Sequence, residues 1–82
     1  MQLASRTMDF SLVKKGMRAR IVGFSGDSEH LRRLQEMGLV TGTEFRVIKV
    51  APFGDPVEIG FRGYRLCLRK GETLGVEIEA LE

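Results

Sequence analysis

The chain has 82 residues, enough for one small domain but not for a second hydrophobic core. A hydrophobic fraction of 43% and a charged fraction of 29% are ordinary for a globular protein, and the net charge of +2 is too small to indicate nucleic acid or anionic lipid as a partner. The apolar runs are far shorter than a membrane span requires, so the sequence predicts a protein that is not inserted in a bilayer. Because Cys67 is the only cysteine, no internal disulfide can form, and the expected location is cytoplasmic.

The first eight residues carry no periodic pattern, and we interpret residues 1–8 as a flexible leader before a single domain at residues 9–82. A short turn is expected at residues 9–13, with apolar side chains that cover one end of the fold. Residues 17–24 then alternate between apolar and polar side chains, which predicts the first strand.

A helix is predicted at residues 28–37, with Asp27 placed to cap its free backbone N–H groups. Gly38 is expected to end the helix in the left-handed conformation. The chain then turns back so that Leu39 packs against Leu34. Because so short a helix is marginal in water, its apolar stripe must pack on the strands.

Further strands are predicted at residues 44–50, 57–61, 64–69 and 76–80. The loss of strict alternation near the end of the first of these, at residues 48–50, indicates a bulge or a strong bend. Pro52 and Pro56 require a turn between two strands, because neither can donate a hydrogen bond within a sheet. The predicted fold is therefore mainly β, a small five-stranded SH3-like barrel with one helix inserted between strands 1 and 2.

The residues needed for catalysis are not gathered in any recognised motif. His30 is the only histidine and has no serine nucleophile motif near it, so the chain is not expected to be an enzyme. Cys67 lies between two predicted inward leucines and is interpreted as a small hydrophobe. No cofactor is predicted, although His30 and Asp27, one helical turn apart, are weak candidates for binding a divalent metal ion.

Exposed apolar residues give the clearest indication of a contact surface. Pro52, Phe53 and Pro56 occupy a turn where polar residues are usual, and Met37 lies opposite the buried leucines of the helix. Phe53 has two interpretations at this point, since it either contacts a partner or folds over the mouth of the barrel.

Several ordered stretches of the chain together resemble the FeoA family of ferrous-iron transport accessory proteins. They are the helix end RLQEMGL at residues 33–39, the segment GTEFRV at residues 42–47, the hairpin APFGDPVEI at residues 51–59 and the later strand LCLRK at residues 66–70. The chain departs from the family at Met37 and Phe53, where leucine is common, and at Thr41, where proline is common.

The resemblance implies a small SH3-like barrel that acts at the cytoplasmic side of FeoB, the GTP-hydrolysing ferrous-iron permease, as a regulator or assembly factor. Weak self-association is also left open. The residues expected to bind the partner are Arg32, Arg33, Met37, Leu39, Pro52, Phe53 and Pro56.

Two alternatives belong to other classes. Residues 1–40 carry a surplus of three positive charges, which would suit a nucleic-acid-binding barrel, although no nucleic-acid partner is predicted. The chain also resembles the SH3-like domain of metal-dependent repressors, as a free-standing relative. Because no helix-turn-helix precedes the barrel in this sequence, a partner-binding protein is favoured.

Overall fold

The structure, a computed structural model, describes residues 7–81. One antiparallel sheet of six strands holds the domain together, with the strand order β1-β6-β2-β3-β4-β5. The strands are β1 (Thr7–Asp9), β2 (Arg18–Phe24), β3 (Glu44–Val50), β4 (Val57–Phe61), β5 (Tyr64–Leu68) and β6 (Val76–Ala80). Helix α1 (Glu29–Glu36) lies between β2 and β3, and 3₁₀ turns lie at Phe10–Leu12 and Lys70–Thr73. The predicted mainly β class and the position of the helix are confirmed.

Strand β1 was not predicted and gives the sheet a sixth strand. Thr7 and Met8, which were assigned to the flexible leader, pair with β6, where Met8 lies opposite Ile78. Three residues are too few to show a period of two, so the sequence pattern cannot reveal this strand. The remaining leader residues, 1–6, lie outside the described part of the chain. Within residues 7–81 no pairing joins β1 to β5, so the barrel is open at this seam.

The core is one cluster to which the helix and all the strands except the short β1 contribute a buried residue. The buried apolar residues are Phe10, Val13, Ala19, Ile21, Leu31, Leu34, Leu39, Phe45, Val47, Val57, Ile59, Phe61, Leu68, Val76 and Ile78. Alternation along the strands places these side chains on the inner face, as the sequence predicted.

The two ends of α1 differ in how well they were predicted. The N-cap is Ser28, and the prediction of Asp27 as the cap is wrong: its side chain is 93% exposed and lies 3.8 Å from Arg32 instead. At the other end, Gly38 adopts a φ of +106° and the Leu39 N–H donates to the Leu34 carbonyl at 3.0 Å, which confirms the predicted termination.

No helix within residues 7–81 combines the length and the hydrophobicity that a bilayer crossing requires.

The predicted irregularity in β3 is confirmed as a register shift between Val47 and Lys49. It turns Ile48 over Gly60, where a β-carbon added to the glycine would lie 3.0 Å from the isoleucine side chain. After the shift, Lys49 pairs with Glu58 and Glu58 with Cys67, so these three residues form one row across β3, β4 and β5. This row borders the candidate site.

Candidate functional site

The turn between β3 and β4 holds Phe53 in water. The Gly54 N–H donates to the Ala51 carbonyl at 2.7 Å, which closes the turn around Pro52 and Phe53. The Asp55 carboxylate accepts a hydrogen bond from the Lys70 N–H at 2.9 Å, which ties the turn to the segment after β5. Phe53 is 94% exposed, so it does not fold over the barrel mouth.

A groove of about 450 Å³ lies beside this turn. Its lining residues are Lys15, Lys49, Val50, Ala51, Pro52, Pro56, Glu58 and Cys67. We call Phe53 together with these residues the turn surface. Its apolar side chains can accept an apolar group from another molecule, while the two lysines add positive charge at the rim. Both predicted prolines lie in this groove, Pro52 exposed and Pro56 half-buried.

The helix carries a second group of predicted residues. Arg32 and Arg33 have side chains 63% and 69% exposed and lie 3.8 Å from Asp27 and 3.9 Å from Glu29, respectively. Such exposed pairs contribute little to stability, so both guanidinium groups are accessible to a partner. Met37 is 42% exposed. We call Arg32, Arg33 and Met37 the helix surface.

Leu39 does not belong to the helix surface. It is only 2% exposed and packs in the core, so the prediction that it contacts a partner is wrong. The same helix-ending turn that was predicted from Gly38 carries Leu39 inward.

Four of the predicted partner-binding residues line two separate depressions, while Arg32, Leu39 and Phe53 line neither. Arg33 and Met37 line a cleft of about 330 Å³ on the helix, together with Glu29, His30, Leu34 and Glu72. None of these residues lines the groove of the turn surface.

The metal candidates are engaged in other contacts. The His30 ring lies with Nε2 3.0 Å from the Leu74 carbonyl oxygen and Nδ1 3.0 Å from the Ser28 hydroxyl, so the tautomer with a proton on Nε2 satisfies both contacts. Asp27 faces Arg32. Within residues 7–81 no three His, Cys, Asp or Glu side chains are grouped as a metal site would need. A weak metal site at His30 and Asp27 stays a prediction.

Paired charges lie on strands β6, β2 and β3, away from the groove. Arg20 donates to Glu79 at 2.7 Å across β2 and β6, and this hydrogen bond raises the pKa of Arg20 above its ordinary value. Arg18 lies 3.7 Å from Glu44 across β2 and β3. Lys15 and Lys49 of the turn surface, by contrast, form no ion pair with any residue in the described part of the chain.

Sequence reasoning missed several exposed or site-lining residues. Lys15 lies in the turn before β2, and Lys49 follows the register shift in β3; both line the groove. Their charge alone does not predict these positions. Tyr64 is 68% exposed and Leu12 60% exposed. The sequence predicts that Leu12 covers the end of the barrel, but only its neighbours Phe10 and Val13 are buried there.

A curated relative joins a similar segment to a transporter. The Fe(2+) transport protein A/Fe(2+) transporter FeoB fusion protein of Porphyromonas gingivalis is 32% identical over 74 residues, which cover 90% of this chain. The match spans only 9% of the length of that relative.

Solved structures share the fold over most of the chain. The FeoA-like protein of Clostridium acetobutylicum has a TM-score of 0.86 and 31% identity, covering 98% of this chain and 92% of its own. The zinc complex of Stenotrophomonas maltophilia FeoA, described as an SH3 domain protein, has a TM-score of 0.73 and 27% identity, covering 87% and 88%. The SH3-like fold is thus confirmed.

A manganese-dependent transcriptional repressor also has this fold, with a TM-score of 0.82 over 96% of this chain and 44% of the repressor. At 14% identity, that likeness concerns the fold alone. The family model of the FeoA domain matches residues 8–80, which is nearly the whole described sheet. The chain belongs to the FeoA domain family, whose members are linked by name to ferrous iron transport.

Proposed function

We propose that this chain is a cytoplasmic accessory protein of ferrous iron transport that binds a FeoB-type permease and regulates it or helps to assemble it. The observation that carries the proposal is the Porphyromonas gingivalis relative, in which a similar segment and the FeoB transporter are one protein. Fusion holds two segments at a high effective concentration, which suits modules that contact each other. Under the proposal, this chain makes the same association with a FeoB-type permease.

The turn surface supports this role physically. Interfaces draw most of their binding energy from a few large anchors placed in apolar surroundings, and Phe53 beside Pro52 and Pro56 has that character. The hydrogen bonds of Gly54 and Asp55 fix the turn before a partner arrives. Less conformational entropy is then lost on binding.

The cationic groups supply orientation rather than most of the affinity. Lys15 and Lys49 border the groove, and Arg32 and Arg33 lie exposed on the helix surface. Positive groups at a rim accelerate association with an acidic partner and favour one docking orientation. The chain contributes binding in this proposal, while GTP hydrolysis and the path of the iron cargo belong to the permease.

Direct binding to FeoB tests the proposal. The labelled chain is titrated with full-length FeoB in nanodiscs and, separately, with the cytosolic portion of FeoB, each with and without GTP. We expect saturable binding in at least one nucleotide state. Absence of binding up to about 100 μM in every condition would falsify the proposal, because so weak an association is worth only about 5 kcal/mol. An isolated FeoA protein that binds its own FeoB under the same conditions serves as the positive control.

A further inference from the structure

Strand β5 is an edge of the sheet and pairs with β4 alone within residues 7–81. The two strands are joined by Arg62 and Gly63, which have φ values of +51° and +82°. Positive φ at both central residues is the geometry of a type I′ hairpin turn, which places Phe61 directly opposite Tyr64. This turn fixes which backbone groups of β5 face β4.

The residue pair that closes a two-residue hairpin is hydrogen-bonded, and bonded and non-bonded pairs then alternate along the ladder. The pairs of Tyr64, Leu66 and Leu68 are therefore bonded to β4, whereas the N–H and C=O groups of Arg65 and Cys67 point away from it. No partner for those groups occurs in the described part of the chain. Such a row of free groups is a template for an added strand.

The charged side chains along the β5 edge are all basic. Residues 62–70 contain no acidic residue and four basic ones, Arg62, Arg65, Arg69 and Lys70. The Arg65 side chain is 73% exposed and lies 3.7 Å from Glu58, so this weak contact leaves it accessible. A strand placed against β5 would set its own outward side chains beside Arg65.

The two faces of the edge differ. Arg65 and Cys67 share the outer face with the groove of the turn surface, while Tyr64 and Leu66 lie on the other face. Tyr64 is 68% exposed and Leu66 half-buried, so apolar area is left uncovered there. A strand that alternates acidic and apolar residues would match both faces, because its side chains also alternate.

We infer that the free edge of β5 binds an extended segment of a partner protein in which acidic and apolar residues alternate, adding an antiparallel or parallel strand to the sheet. The inference rests on the proposed function, since it specifies the kind of segment by which the partner docks. Two other interpretations of the edge are tested alongside it. Basic residues on an edge also prevent association between sheets, and a basic strand with an exposed tyrosine also suits RNA.

The first experiment uses a capped synthetic peptide of alternating valine and glutamate, titrated into the full isotope-labelled chain. We expect the largest amide shifts at Arg65 and Cys67, with saturation below about 1 mM. A peptide of the same sequence with N-methylated amides cannot form the ladder and should bind at least about tenfold more weakly. Equal binding of the two peptides, or no binding of the first, overturns the inference.

Two variants of the chain make the result specific. Cys67→Pro removes the outward N–H while the bonded pairs to β4 keep theirs. It should weaken peptide binding more than Cys67→Ala does, because the alanine variant keeps the N–H. Arg65→Glu should reverse the preference toward a peptide of alternating valine and lysine. If Cys67→Pro fails to fold, the N-methylated peptide and Arg65→Glu still decide the question.

Tighter binding of a uridine oligonucleotide to the same amides would overturn the inference in favour of RNA.

These outcomes separate the inference from the proposed function. If FeoB binds the wild type, Arg65→Glu and Cys67→Pro equally well, and the peptide does not bind, the β5 inference is wrong and the proposed function stands. If the peptide binds at β5 but FeoB does not bind at all, the proposed function fails and the edge serves another partner with the same chemistry.

Discussion

Phe53 exposes 94% of its surface on a turn that the structure holds in place from both sides. Keeping a phenylalanine side chain in water forgoes about 1.5 to 3 kcal/mol relative to burying it. That free energy is recovered if another molecule covers the ring. Since Phe53 packs against none of the core, its contribution is expected in binding and not in folding.

The substitution Phe53→Asp tests whether Phe53 contributes to binding and not to folding. We expect the free energy of unfolding to change by no more than about 0.5 kcal/mol, because the side chain is already in solvent. Binding to FeoB should weaken at least tenfold, or about 1.4 kcal/mol. Urea unfolding and a binding titration measure the two effects.

Leu74→Asp is the matched control, since Leu74 is 61% exposed and does not line the groove of the turn surface. It introduces the same charge and should leave binding unchanged. A Phe53→Asp variant that is destabilised as strongly as a core variant would contradict the assignment of Phe53 to binding.

At the residue level, the sequence correctly indicated that Pro52 is exposed, and the structure resolves the two interpretations of Phe53 in favour of exposure, whereas Pro56 is half-buried. Partner binding by these residues stays a prediction. Pro52, Phe53 and Pro56 stand out because apolar residues occupy a turn. Lys49 could not be assigned, because its place in the groove depends on the register shift in β3. Leu39 was assigned to a partner although its packing on Leu34 was also expected, and only burial in the structure decides between the two roles.

At the scale of elements, two loops meet where the helix and β6 begin. The Ser25 N–H donates to the Gly75 carbonyl at 2.7 Å, and Gly75 has a φ of +91°. A β-carbon on Gly75 would lie 2.5 Å from the Ser25 carbonyl oxygen, closer than a β-carbon approaches a non-bonded heavy atom. His30 adds a second tie to this region through the Leu74 carbonyl. The position of α1 therefore depends on a glycine outside it.

Replacing Gly75 tests that dependence. We expect Gly75→Ala to lower the free energy of unfolding by more than about 2 kcal/mol, from backbone strain together with the clash at Ser25. Gly42→Ala is the matched control, because Gly42 has a φ of +96° but open space where a β-carbon would stand. It should cost only about 1 kcal/mol. Equal losses in urea unfolding would show that the close approach at Gly75 is relaxed at no cost.

Docking of the helix on the strands gives a further prediction. Leu34 is 3% exposed, so Leu34→Ala should destabilise the protein by about 2 to 4 kcal/mol through loss of apolar contact and formation of a cavity. Gln35→Ala, on the exposed side of the same helix, should change stability by less than about 0.5 kcal/mol. Thermal unfolding of both variants measures the difference, and a loss below about 1 kcal/mol for Leu34→Ala would mean that α1 is not packed as described.

Elements with strong local signals were predicted well, and those without them were not. Gly38 marks the end of α1 because only a left-handed residue there completes the hydrogen bonds. The cap was predicted wrongly because Asp27 and Ser28 are both favoured N-cap residue types. The backbone geometry places the cap at Ser28, whose side chain makes no capping hydrogen bond. Strand β1 depends on pairing with β6, a long-range contact that no local pattern encodes.

At the scale of the whole molecule, the shortest ion pair within residues 7–81 and the accessible positive charges lie on different parts of the sheet. Arg20 contacts Glu79 at 2.7 Å on the β6-β2 side, while Lys15, Lys49 and Arg65, whose contact with Glu58 is 3.7 Å long, surround the β3-β4-β5 side. The turn surface and the β5 edge share that second side. The helix surface, with Met37, lines a different cleft. We therefore propose that the main contact with FeoB lies on the turn surface and the adjoining strands.

The most direct test of this assignment is an amide shift map of the isotope-labelled chain bound to the cytosolic portion of FeoB. We expect the largest changes at Lys15, Lys49, Phe53 and Gly54, with smaller changes along β5. The paired β6-β2 side should be unaffected. Changes confined to α1 and Met37, with the β3–β4 turn unchanged, would contradict this assignment.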